Sequence, residues 1–171
     1  MKLHFVAVLG AFFVTGCGYH VSGHADTIPT NIKTIAVPTF KNLTVRYRLS
    51  EQLPGAVARE LISRTRYKVI TAEDQADAVL RGAVTNYIAF PYIADQQTGR
   101  AAGVQVSVTL NISLVERATG KVLFSRPNLE FRDRYEIAQD EINYFDESQT
   151  AMDRLAKEAA RSVVSAILEG F

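Results

Sequence analysis

The stretch that most restricts the fold is Val104–Leu114, "VQVSVTLNISL". Every even position is apolar: Val104, Val106, Val108, Leu110, Ile112 and Leu114. The odd positions are Gln105, Ser107, Thr109, Asn111 and Ser113. Successive side chains of a strand point to opposite faces, so this period of two predicts a strand buried on one side only. A chain holding such a strand must build a sheet and cover its apolar face with another layer. The following "ERATGKV" (116–122) puts Thr119 and Gly120 at a turn, and a return strand is expected over roughly Val122–Tyr135. In that strand Val122 and Phe124 share one parity, and Leu129 and Phe131 the other. A bulge at Arg126–Asn128 restores the phase, and Pro127, lacking an N–H, fits an edge strand.

Two helices are available as the covering layer. In residues 48–65, Leu49, Leu53, Val57 and Leu61 recur every fourth residue, with Glu60 and Arg64 placed to pair on the solvent side. Pro54 and Gly55 interrupt this pattern. Proline is comfortable only in a first helical turn, so the helix either begins near Ser50 or is kinked there. Near the C-terminus, Met152, Leu155, Ala156, Ala159, Val163 and Ile167 form one stripe of a helix from about Glu147 to Glu169. Asp146 and Gln149 resemble a capping box, and Asp153–Lys157 is a favourable pair one turn apart.

Further strands are expected in "IKTIAVPTF" (32–40), "YKVIT" (67–71) and "AVLRGAVTNYIAF" (78–90). The last is apolar on both faces, and Gly82 within it marks a bulge or a close approach of another group. The intervening "AEDQAD" (72–77) is a polar break, and residues 91–103 read as a long loop. Together these elements predict an α+β fold: a two-layer sandwich with about four strands in a mixed sheet and two helices packed on one face.

The N-terminus is of another kind. In residues 1–16, Lys2 precedes an apolar run of about a dozen residues, too short to span a bilayer and proportioned as a signal-peptide core. The segment Val14–Cys17, "VTGC", resembles the lipobox of bacterial lipoproteins. That resemblance implies cleavage before Cys17 and a covalent lipid on it, with diacylglycerol on sulfur and an acyl chain on nitrogen. Several chains together make a stable anchor where one does not. Gly18 follows the cysteine where aspartate would signal inner-membrane retention, so sorting to the outer membrane is expected. The competing reading of Cys17, His20 and His24 as a metal site falls one ligand short of a structural zinc centre. The domain plan is thus a signal peptide (1–16), a lipidated cysteine with a Gly/Ser/Thr-rich tether (17–31) and a single folded domain (32–171).

Signs of enzymatic chemistry are missing. No G-x-S-x-G, Walker A or G-x-G-x-x-G motif occurs, and His20 and His24 sit in the tether, where they cannot serve a rigid triad. The acids of residues 132–148 alternate with Arg132 and Arg134 and lead into a helix N-terminus, where acids are favoured anyway. No catalytic residue, metal or dissociable cofactor is expected. With 19 basic and 18 acidic residues and no basic block, the chain has no nucleic-acid footprint.

One feature asks for a partner. The polar face of the 104–114 strand carries no charge. Neutral side chains can be desolvated without the cost of burying an ion, and charge depletion marks interface centres. Gln105, Ser107, Thr109, Asn111 and Ser113 are therefore candidate partner-facing residues, although Ser and Thr also suit a solvated strand. Arg100, beside Gly99 in the 91–103 segment, is a candidate for a phosphorylated ligand or simply for water.

"CGYHVSG" at the lipid cysteine, "IPTNIKTIAVPTFKN", and then a helix, a long strand hairpin and a closing helix resemble the lipopolysaccharide (LPS)-assembly lipoproteins, LptE-like, over nearly the whole chain from Cys17. The resemblance implies a two-layer sandwich that is not an enzyme. It also implies a plug inside the LPS-translocon β-barrel of the outer membrane, helping the barrel assemble and contacting LPS. Family members present basic residues at the strand–strand tip and before the last helix. This chain offers Arg100 near the first and Gln139 at the second. "IAVPTFKNLT" also looks like the first strand of curli-secretion or penicillin-binding-protein-activator lipoproteins, which is the alternative reading.

Overall fold

The computed structural model describes residues 28–94, 96, 99–137 and 148–169. The signal peptide, Cys17, His20, His24, Gln139 and Asp146 lie outside the described residues. In chain order the elements are β1 (Thr34–Ala36), β2 (Lys41–Asn42), α1 (Leu49–Arg64), β3 (Lys68–Ile70), β4 (Ala78–Ala94), β5 (Ala101–Glu116), β6 (Val122–Glu136) and α2 (Ser148–Glu169). A single 3₁₀ turn, Glu73–Gln75, joins β3 to β4.

The sheet is mixed, in the order β3-β1-β4-β5-β6, with β2 also pairing to β4. β1 runs parallel to β3 and β4, and β4, β5 and β6 form an antiparallel meander. It has six strands where about four were expected. The expected 32–40 strand is cut short to β1 before Pro38, and the two-residue β2, beyond its expected end, adds a strand that was not expected. The 91–103 loop is also shorter than expected. β4 runs on to Ala94 and β5 starts at Ala101, with register shifts at Pro91/Ile93 and Ile93/Ala94 absorbing the irregular sequence.

The alternation in β5 is realised as expected. Val106 and Val108 are fully buried, and Leu110, Ile112 and Leu114 nearly so. These side chains share one core cluster with Leu53, Val57 and Leu61 of α1 and Leu155, Val163 and Ile167 of α2. Both helices therefore cover the same sheet face, each large apolar side chain contributing about 1.5–3 kcal/mol of burial. Ile28, at the end of the expected tether, is 7% exposed and belongs to this core, so the folded domain begins before residue 32.

α1 begins at Leu49, near Ser50 as one of the two expected alternatives, and is continuous through Pro54. Pro54 cannot donate to the carbonyl four residues back, that of Ser50. The Phe40 amide donates to that carbonyl instead, at 2.9 Å, so the proline leaves no orphaned acceptor there. Between the helices, Arg48 donates to Gln149, Gln52 to Asp153 and Arg64 to Ser165. Each rung joins residues 101 apart, so α1 and α2 run parallel and in register. Asp153 is taken by Gln52 and Gln149 and makes no ion pair with Lys157. Glu60 and Arg64 do pair, at 3.8 Å.

At β6 the phase flips where expected. The register shifts between Leu110/Ile112 opposite Leu129/Arg126, and Asn128 takes φ 55°. Its N–H donates to Asn111 Oδ1 at 2.8 Å. β6 is an edge strand, consistent with Pro127. Among the described residues no helix is long and apolar enough to cross a membrane.

Candidate partner-binding face

The helices cover one side of the sheet, and the side facing away from them is the candidate site. Directly opposed residues of antiparallel strands share a face. The pairings thus place Gln105 with Phe90 and Arg134, Ser107 with Ile88 and Arg132, and Thr109 with Asn86 and Glu130. Lower down, Asn111 lies beside Ala83, and Ser113 between Arg81 and Ser125. All five candidate residues of β5 therefore stand in one row down the middle of the uncovered face.

The flanks differ from that central row. β4 contributes an apolar edge of Ile88, 48% exposed, and Phe90, 43% exposed. Tyr92 continues it over Gly103, where an added Cβ would meet the ring at 2.8 Å. The other flank, β6, is charged. Glu130 accepts two hydrogen bonds from Arg132, at 3.0 and 2.8 Å, and one from the Ser107 hydroxyl at 2.5 Å. These donors hold the Glu130 carboxyl below its ordinary range, Arg132 foremost and Ser107 next. The same pairing raises the Arg132 guanidinium. Arg134 donates to Gln105 at 2.8 Å and stacks over the Tyr92 ring at 5.0 Å.

The uncharged row of β5 is thus bonded sideways into a charged strand: Gln105 to Arg134, Ser107 to Glu130, Asn111 to the Asn128 amide. Sequence reasoning saw the neutral row but missed its setting. The apolar edge did leave a signal, the lack of alternation across 78–90. The charged edge left one too, the period-two charges Glu130, Arg132 and Arg134 after the expected bulge, but it was not joined to the neutral row. Arg100 is exposed at the far end, just before β5, in the turn containing Gly99 (φ 68°). It lies past the Gln105 end of the row, away from Asn111 and Ser113. Among the described residues no group of three metal-ligating side chains comes together.

The lower end of the face is closed differently. Ala36, Ala76 and Val79 form a small second cluster beside the 3₁₀ turn. Next to it Asp77 Oδ2 accepts the Lys33 and Thr34 amides, both at 2.9 Å. Those two bonds, helped by the charges of Arg117 and Lys33, hold the Asp77 carboxyl below its ordinary value against the opposing effect of burial.

Residues 32–167 match the family model described as lipopolysaccharide-assembly, LptE. No curated protein matches the chain in sequence. Among solved structures, the rare lipoprotein B from Shewanella oneidensis superposes with a TM-score of 0.52 at 15% identity, covering 78% of this chain and 92% of that one. A minor lipoprotein from Acinetobacter baumannii gives 0.51 at 15% identity, covering 83% and 95%. The PelC dodecamer from Paraburkholderia phytofirmans gives 0.50 at 17% identity, covering 80% and 87%. At these identities the likeness speaks for the fold alone.

Proposed function

Because this chain belongs to the lipopolysaccharide-assembly (LptE) family, a non-enzymatic family of envelope lipoproteins, we propose that it plugs the outer-membrane LPS-translocon β-barrel and helps it assemble. On this reading Cys17 carries the lipid that anchors the domain to the outer membrane. The uncovered sheet face seats against the barrel wall, and Arg100 at the strand tip meets LPS phosphates.

The observation that carries this reading is the make-up of that face. Its central row is neutral, its β4 edge exposes Ile88, Phe90 and Tyr92, and the acid beside the row, Glu130, is already paired with Arg132. A protein wall can cover that central part of the surface without stranding Glu130 as a lone carboxylate, the usual obstacle to desolvation. A face built for water would not place two large apolar side chains beside its middle strand.

The test is isolation of the lipidated chain from native membranes, with photo-crosslinking residues at Gln105, Thr109 and Ser113. Adducts to a large β-barrel protein are expected at all three. Recovery of the chain without a barrel would sink the plug role, and adducts absent from these positions alone would move the contact to another face. Arg100→Ala is expected to weaken LPS retention by the complex. Unchanged retention removes Arg100 from the ligand contact.

A further inference from the structure

The lower half of the uncovered face holds a groove of about 490 Å³ that shares Asn111 and Ser113 with the central row of β5. Its floor is made of small groups, Gly82, Ala83, Ser113 and Ser125, which is why the surface is hollow there. Its rim carries three cations from three strands: Lys41 of β2, Arg81 of β4 and Arg126 of β6. Glu73 is the acid that reaches it, and Glu73 is engaged by Arg81 at 3.2 Å. Lys41 and Arg126 form no ion pair with any described residue.

The neutral groups in the groove are donors. Asn111 has its Oδ1 occupied by the Asn128 amide at 2.8 Å, which leaves its Nδ2 to face a ligand. The Ser113 and Ser125 hydroxyls can each donate as well. A hollow with an excess of two positive charges and three neutral donors, and with its carboxylate already paired, suits an oxyanion with oxygens in several directions. The space exceeds what a bare ion fills and lies within the range of small-molecule clefts.

The geometry points to a binding site here for a phosphate ester, with Lys41 and Arg126 as the charge contacts and Asn111, Ser113 and Ser125 as the neutral donors. The site is separate from Arg100. Asn111 stands ten residues along β5 from Ala101, roughly 33 Å at about 3.3 Å per residue. It does not rest on the plug reading, since it needs only the sheet and β2. Phosphate esters reach a protein either free, as on a sugar, or as lipid headgroups, and both present the same oxygens.

The experiment uses the full chain carrying Cys17→Ser, so that acyl chains do not bring it to membranes, and follows the amides of Asn111, Ser113 and Ser125 by NMR. Titration with glucose 6-phosphate is expected to shift these amides, and glucose is not. Lys41→Gln and Arg126→Gln, both at exposed positions, should each weaken binding about tenfold, while Arg100→Gln leaves it unchanged. Parallel sedimentation with phosphatidylcholine vesicles, with and without phosphatidylglycerol, separates the sources. Anionic-vesicle binding lost in both variants identifies a headgroup. Sugar-phosphate binding without vesicle discrimination identifies a soluble ester. The inference is overturned if neither glucose 6-phosphate nor anionic vesicles are bound, if glucose moves the amides equally, or if both charge variants bind as the parent does.

Discussion

The ring of Phe40 lies directly over Gly82, so close that a Cβ built on that glycine would sit 2.6 Å from two ring carbons and 2.7 Å from a third. Gly82 is therefore the seat of a side chain that closes the core between β2, β4 and α1, and Phe40 is only 3% exposed there. Gly82→Ala is expected to destabilise the domain by about 1–3 kcal/mol through overpacking, and Phe40→Ala by about 3–5 kcal/mol through the cavity it leaves. The double variant should be more stable than the sum of the two, because removing the ring removes the clash. Chemical denaturation of all four proteins measures the coupling, and strict additivity would refute the contact.

The two faces of β5 should respond oppositely to truncation. Leu110→Ala, in the core, is expected to cost about 2–5 kcal/mol. Thr109→Ala, one residue away, should stay within about 0.5 kcal/mol yet lose its share of the partner contact. Melting curves of the isolated chain and crosslinking yield in membranes read the two effects separately.

Asn128 holds a left-handed backbone conformation at the bulge, with its amide bound to Asn111. Asn128→Gly should be close to neutral, whereas Asn128→Val is expected to cost roughly 1–2 kcal/mol. Equal melting temperatures for the valine and glycine variants would mean that the bulge does not depend on this residue.

Acid should weaken the join at Asp77. Its folded pKa lies below the ordinary aspartate value, chiefly because the Lys33 and Thr34 amides favour the charged form. The folded state therefore binds fewer protons than the unfolded one. This stabilisation is complete above the unfolded value, about 3.9, and is lost as pH falls through the lower folded value. Glu116, held by Thr119 and Asn31, and Glu130 shift in the same direction and add to the same acid loss. Asp77→Asn should melt lower than the parent at neutral pH and converge with it in acid. A gap that stays constant from neutral pH to below the carboxylate range would contradict the role of its charge.

Much of the sheet was legible because its signals are local. The β5 alternation, the Thr119-Gly120 turn and the parity flip around Pro127 each lie within a dozen residues, and each predicts its geometry by pleat or turn chemistry alone. Gly82 announced a close approach but not that Phe40 makes it, since the two meet only after β2 pairs with β4. Pro54 left open whether the helix starts near Ser50 or kinks; it starts at Leu49, and Phe40, from the segment between β1 and β2, supplies the donor proline lacks. The candidate face divides the same way. Its neutral row belongs to one strand and was readable. Its charged edge lies within β6 alone, but its bonds to the neutral row and the Lys41–Arg81–Arg126 groove are assembled across strands, and no linear pattern records them.

The parallel registry of the two helices has a kinetic meaning. The layer that shields the core is contributed half by α1 and half by α2, joined through rungs whose partners are 101 residues apart. Neither helix can complete its burial until the whole β4–β6 meander stands between them. Contacts of such long range close slowly, because the loop entropy must be spent before packing returns it. The apolar row of β5 should thus remain only partly covered until the last helix docks beside α1.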